Sequence, residues 1–486
     1  MIKGQIKTIN ELLSTKQISC TELTQTYLNS IERDNGALNA YVKVTPEIAL
    51  DSAKKIDDRI AAGETLNPLA GVPMTLKDNI CTKGIETTCC SKMLENFVPI
   101  YDATVWELLR SQGSVLLGKA NMDEFAMGST CETSYFGGAK NPHDLNRVPG
   151  GSSGGGASAV GGNLAAFALG SDTGGSIRQP GSFCGIVGFK PTYGSVSRYG
   201  LIAFASSFDQ IGPITTTVED AAIVFDAISQ KDSRDSTSQG CESTVPSLGN
   251  SLKGKKVGII KEYFEGIGED IQNAVQQAIE VYKDLGVEVV EFSMPELKYG
   301  LPVYYILACA EASSNLGRYD GIRYGYKVPS YNDINEMICR TRSEGFGDEV
   351  KHRILLGTYV LSAGYYDAFY KKAQSVRGKI VDSFDKIFSS CDFIAAPTVP
   401  MTAFEFGHIP KDPTENYLTD ICTVPVNIAG LPAVSVPCGF DKGGMPIGLQ
   451  IIGNRFQEAT VLNAAYQYES MTREQAFKAT ELGVKL

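Results

Sequence analysis

Apolar positions along this chain follow two rhythms. Near the N-terminus Leu23, Tyr27, Leu28 and Ile31 recur at helical spacing. They follow Ser19-Cys20-Thr21-Glu22, an S/T-x-x-E signal whose side chains reciprocally satisfy the first free N–H groups of a helix. Thr8-Ile9-Asn10-Glu11 has the same form, so two small N-terminal helices are expected as packing elements. Further on, short apolar runs are bounded by turn residues. Residues 71–78 predict a turn and a buried strand, 104–112 a helix ended by Gly113, and 114–118 another strand. The small-residue segment 157–169 predicts a packed helix. Residues 257–260, 271–285 and 287–290 predict a β-α-β unit, and a tyrosine-rich helical run extends from Asp348 to about Val376. Residues 393–398 and 433–437 predict buried strands.

Alternation of this kind implies an α/β fold built on a large mixed β-sheet covered by helices on both faces. The polar stretch 229–256 predicts a surface loop or a linker between halves. Helices flank strands throughout, so one domain over 1–486 is expected, with N-terminal helices to 64, a core from 65 to 200 and a C-terminal part from 201 to 486.

Composition narrows the function. Hydrophobic residues make up 43% and charged residues 20%, which excludes a disordered chain, a coiled coil and a collagen. With 44 basic against 55 acidic residues the net charge is −11, so the chain is not built to grip tRNA or DNA alone. Twelve cysteines are scattered, and the adjacent pair Cys89-Cys90 suits neither a zinc knuckle nor a redox C-x-x-C. His143, His352 and His408 lie far apart, so no metal site is expected. No signal-peptide core or continuous apolar membrane stretch is visible, and a reducing, cytoplasmic location is expected.

The chemistry concentrates where glycine does, with 14 of the 50 residues from 151 to 200 being Gly. Gly150-Gly151-Ser152-Ser153-Gly154 matches the G-x-S-x-G elbow of serine hydrolases, but only His352 and His408 follow it and no apolar strand precedes it. The same stretch also suits a Gly/Ser linker. The second cluster, Gly170-Ser171-Asp172-Thr173-Gly174-Gly175-Ser176-Ile177-Arg178, suits an anion-binding nest. A phosphate loop would want a Lys directly after the glycines; an oxyanion hole beside Ser176 fits better. A serine nucleophile needs a base, and Lys77, at the end of an expected core strand, is a candidate if burial holds it neutral. Taken alone, Lys77 reads more readily as an ordinary lysine paired with Asp78, since buried lysine is rare.

The joint pattern resembles the amidase signature family. The resemblance rests on Gly71-Val72-Pro73 through Lys77-Asp78, on Pro149 through Gly155, and on Gly170 through Arg178. It implies a catalytic Lys77, Ser152 and Ser176, with Ser152 on a cis peptide bond relaying the proton of Ser176 to Lys77. It also implies an oxyanion hole at Thr173, Gly174 and Gly175. Residues 197–207, 311–316, 319–325 and 353–358 extend the resemblance, as do Tyr417-Leu418-Thr419-Asp420 and Pro425-Val426-Asn427. These segments resemble the tRNA-dependent amidotransferase branch of the family. That branch implies hydrolysis of L-glutamine, with Arg353 on its carboxylate, Asp420 on its ammonium and Tyr304 lining the pocket. It implies that the ammonia passes to a larger tRNA-binding kinase/transamidase subunit, which binds ATP and Mg2+ and converts Glu-tRNA(Gln) to Gln-tRNA(Gln). A small third subunit completes a heterotrimer, and no cofactor is expected on this chain. Two departures are Gly181-Ser182, where the family more usually has Ala, and His352, where another basic residue is usual. A stand-alone amidase of other small or acyl amides is one rival. A non-catalytic scaffolding subunit is another, against which the intact Lys77, Ser152 and Ser176 set argues.

Overall fold

The computed structural model describes residues 4–408, 418–478, 480 and 482–485. Eleven strands form one mixed sheet: β1 (Tyr41–Val44), β2 (Pro73–Lys77), β3 (Val115–Ala120), β4 (Phe167–Asp172), β5 (Val187–Lys190), β6 (Gln210–Thr215), β7 (Lys256–Ile260), β8 (Glu288–Phe292), β9 (Phe393–Pro397), β10 (Ala433–Phe440) and β11 (Pro446–Gly453). Their order across the sheet is β1-β3-β2-β4-β6-β5-β10-β11-β9-β7-β8. The parallel neighbours are β2 with β3 and β4, and β7 with β8 and β9. Strands β2, β3, β4 and β6 are buried at every position, as expected where helices cover both faces. Strand β9 shows the two faces directly: Phe393 and Ala395 join one apolar core, while Ile394 and Ala396 join another on the opposite side. The edge strand β8 is instead half exposed and carries Glu288 and Glu291, paired with Lys256 and Lys261 at 3.3 and 3.2 Å. Charge on an edge discourages pairing with another chain.

The β-α-β unit forms as expected, with helix Glu269–Asp284 between parallel β7 and β8. Ser19 caps helix Cys20–Leu38 through the full capping box. The Thr8 signal is different: Thr8 lies inside helix Gln5–Ser14, whose cap position is Gly4. Its first N–H groups are met from far along the chain, Gln5 N–H donating to Asp220 at 2.8 Å and Ile6 N–H at 3.3 Å. The expected helix 157–169 also needs correcting. The helix is Gly154–Gly161; the chain then breaks at Gly162 and Asn163, where φ is +54°, and Phe167 begins β4. The tyrosine-rich run is likewise not one helix. It divides into Asp348–Leu361, a wide turn over Tyr366–Lys371 and helix Lys372–Phe388, interrupted at Gly364 with φ of +88°.

Candidate active site

The register of β2 against β4, with Leu76 opposite Leu169, brings the C-terminal ends of two parallel strands side by side. One end delivers Lys77; the other runs into the Gly-rich turn that carries Ser176. The C-terminal ends of such strands are the usual place for α/β active sites. The loop that precedes helix Gly154–Gly161 closes over both and contributes Ser152 and Ser153.

Lys77 is 1% exposed. Its Nζ lies 2.7 Å from Ser152 Oγ, 2.9 Å from Ser153 Oγ and 3.2 Å from Ser171 O. A neutral amine has two N–H donors and one lone pair, so these three neighbours match it: donors to Ser153 Oγ and Ser171 O, lone pair toward the Ser152 hydroxyl. Burial pushes the Lys77 pKa down to about 8, against the opposing pull of Asp123 and other acidic groups. Asp78 does not neutralise Lys77. It accepts the Thr88 N–H at 3.0 Å and lies 3.9 Å from buried Lys119. Ser152 is fully buried on the cis peptide Gly151-Ser152, while His352 and His408 are exposed, so among the described residues neither histidine takes the base position of a hydrolase elbow.

Ser176 follows the nest and is 8% exposed. The Ser153 N–H donates to Ser176 O at 3.1 Å, which fastens the two serine segments together. The nest itself is wound around Asp172. The Asp172 carboxylate accepts the N–H groups of Gly175 at 2.8 Å and Ile177 at 3.2 Å. Burial raises the Asp172 pKa, but Arg178, with Nε and Nη2 each 3.0 Å away, more than offsets this and leaves it at about 2. The Gly175 N–H, which the resemblance assigns to an oxyanion, is donated to Asp172 in this structure. Among the described residues the N–H groups of Thr173, Gly174 and Ser176 have no protein acceptor. Gly175 has φ of +141°, and a Cβ there would meet Thr423 Oγ1 at 2.3 Å, so the turn requires glycine.

Of the other expected residues, Tyr304 packs on this turn and Asp420 reaches it through Thr423. Tyr304 is buried against Gly174, where a Cβ would come within 2.8 Å of Tyr304 Cζ. Thr423 Oγ1 donates to Gly174 O at 2.6 Å, and Thr423 N–H donates to Asp420 O at 3.1 Å. The Asp420 side chain accepts from Ser129 Oγ at 2.7 Å; burial pushes its carboxyl up to about 7, with Arg353 pulling the other way. Arg353, on helix Asp348–Leu361, is 5% exposed, donates from Nε to Glu349 at 2.7 Å and lies over the rings of Phe204 and Tyr305. Gly181 and Ser182 face β5 and β11, with Gly181 against the Gly188 backbone and Ser182 against Gly448. Tyr417 lies outside the described residues. Sequence reasoning gave no role to Ser153, Thr423, Gln179 or Ser129. Only Ser153 had a signal, its place beside Ser152.

The amidase family model matches residues 22–462. The chain is 55% identical over 464 residues, 95% of each chain, to a glutamyl-tRNA(Gln) amidotransferase subunit of Caldanaerobacter subterraneus subsp. tengcongensis. The crystal structure of the subunit of the same name from Thermotoga maritima is 41% identical, with a TM-score of 0.79 over 96% of this chain and 95% of that one. The native peptide amidase of Stenotrophomonas maltophilia is 28% identical, with a TM-score of 0.83 over 99% and 98%.

Proposed function

We propose, from the premise that the chain belongs to the amidase family, that it is the glutamine-hydrolysing subunit of a glutamyl-tRNA(Gln) amidotransferase and that Lys77, Ser152 and Ser176 do the chemistry. One observation carries this reading: a fully buried lysine amine sits 2.7 Å from the hydroxyl of Ser152, with its pKa pushed down to about 8 by burial. Such an amine is a usable base near neutral pH, as an exposed lysine is not.

Ser176 Oγ attacks the glutamine carboxamide carbon while its proton moves to Ser152 Oγ and the Ser152 proton moves to Lys77 Nζ. The carbonyl oxygen becomes an oxyanion, held by N–H groups of the Thr173-Gly174 turn and of Ser176. The Lys77 ammonium returns the proton through Ser152 to the leaving nitrogen, the C–N bond breaks and ammonia departs. The glutamyl group is then esterified to Ser176. Water attacks this ester while its proton passes through Ser152 to Lys77; the C–O bond to Ser176 then breaks as Lys77 returns the proton through Ser152 to Ser176 Oγ, leaving glutamate, free Ser176 and a neutral Lys77. Arg353 holds the substrate carboxylate, Asp420 its ammonium, and Tyr304 the wall of the pocket. Burying either charge unpaired would be costly, which is why the site needs one cation and one anion.

The relatives are named as one subunit of an amidotransferase, which implies a heteromeric enzyme. The partners in this reading are a larger subunit, which holds the tRNA, ATP and Mg2+ and uses the ammonia, and a small third subunit. The net charge of −11 supports a division of labour in which the partner carries the tRNA. Twelve free cysteines support a cytoplasmic location, since a reducing compartment keeps thiols unpaired. No helix among the described residues is long and apolar enough to cross a membrane. Ser176→Ala is expected to abolish ammonia release from glutamine while leaving folding and partner binding intact. Continued release by the purified variant would refute the assignment.

A further inference from the structure

Gln179 lies three residues beyond Ser176, in helix Arg178–Phe183, and is fully buried. Both ends of its amide are used. Oε1 accepts the Gly151 N–H at 2.8 Å, and Nε2 donates to Ser129 O at 2.8 Å. Ser129 Oγ in turn donates to Asp420 at 2.7 Å. One side chain from the nucleophile's segment therefore grips the peptide just before Ser152 and also the residue that holds Asp420. The fit is tight, since a Cβ on Gly150 would lie 2.5 Å from Gln179 Oε1.

We propose that Gln179 is a positioning residue that sets Ser152 against Ser176 and, through Ser129, couples that register to occupancy of Asp420 by the cationic end of an amino-acid amide. The inference rests on the amidase reading above. Its chemical basis is that a primary amide presents an acceptor and a donor side by side. A carboxylate would still accept from Gly151 but would face Ser129 O with lone pairs; once protonated it regains the donor. Burial raises the pKa of such a carboxyl into the accessible range.

The test uses the full chain with its native partner subunits and compares Gln179→Met with Gln179→Glu. Ammonia release from glutamine is measured as kcat/KM relative to the parent, from about pH 6 to about pH 9, a span chosen to bracket a buried carboxyl. Gln179→Met is expected to lose about tenfold or more at every pH, equivalent to about 1.4 kcal/mol. Gln179→Glu is expected to recover toward the parent as the pH falls, by about tenfold in the ratio. A purely structural role would not produce that pH-dependent rescue. With glutamine, Gln179→Met and Asp420→Asn are expected to be non-additive. With a small amide lacking an α-ammonium, that coupling should vanish while the loss in Gln179→Met persists. A flat Gln179→Glu ratio in a folded protein, or Gln179→Met activity within about twofold of the parent, overturns the inference. Where circular dichroism shows Gln179→Met unfolded, the isosteric Gln179→Glu decides alone. A parent that hydrolyses no amide is a failure of the amidase reading; an active parent with unaffected Gln179 variants is a failure of this inference only.

Discussion

Acidification is the most direct perturbation of the proposed base. Burial lowers the Lys77 pKa from 10.5 to about 8. At about pH 7 roughly one Lys77 in ten is then neutral, and at about pH 6 roughly one in a hundred; a lysine left at 10.5 would be neutral less than about once in a thousand at pH 7. The kcat of ammonia release at saturating glutamine should therefore fall about tenfold for each pH unit below about 8 and level off above it. Using kcat keeps the measurement within the enzyme–substrate complex, apart from titration of substrate-binding groups. Lys77→Arg, which keeps a cation but cannot deprotonate, should remove both the activity and the profile. The same shift has a stability signature of opposite use. Because the folded pKa lies below the unfolded one, the unfolded chain binds the extra proton between about 8 and 10.5, and Lys77 contributes stability that grows as pH rises through that window. The full span is worth roughly 3 kcal/mol. A kcat that stays flat from about pH 6 to about pH 9, or one that is still climbing steeply at about pH 10, would refute a buried lysine base.

Asp420→Asn is expected to raise the KM for glutamine about tenfold or more by removing the anion opposite the substrate ammonium, measured by steady-state kinetics. In the parent, KM should rise as the pH falls through about 7, because burial places the Asp420 carboxyl there and its protonated form cannot pair with a cation. Arg178→Met should cost about 3–5 kcal/mol in denaturant unfolding, since it leaves the Asp172 carboxylate buried without its partner. A loss under about 1 kcal/mol would show that Asn427 and the backbone donors suffice.

What the chain disclosed in advance was local. The Ser19 capping box, the strands ending at Lys77 and beginning near Val257, and the two Gly-rich turns all depend on residues within a few positions of each other. The family was legible because several short motifs occur in a fixed order. What stayed hidden was long-range. The first helix begins at Gly4 because Asp220, from far along the sequence, supplies the acceptors that the Thr8 signal suggests locally. Strands β5, β6 and β11 carry Gly or Pro inside short runs, and nothing in their own pattern announced that they line the middle of the sheet. Within the site, the hydrogen bond from the Gly175 N–H to Asp172 follows from where the Asp172 side chain points. Ser129 and Gln179 acquire meaning through each other, 50 residues apart, and through partners 291 and 28 residues away.

The order of the strands also sets what the polar stretch 229–256 can be. Strand β10 zips onto β5, with Ala433 opposite Lys190 and Ser435 opposite Gly188, so a piece of chain from beyond that stretch completes the ladder begun before it. Severing the stretch would not release two autonomous bodies. Each fragment would bare a raw ladder of unpaired amides along this seam, and the shortest way to quench both is for the fragments to remain clasped. The connector is itself fastened to the first half, Asp232 accepting from Ser197 Oγ at 2.8 Å and Asp235 pairing with Arg198 Nε at 3.3 Å, so it clasps that half while the seam clasps both.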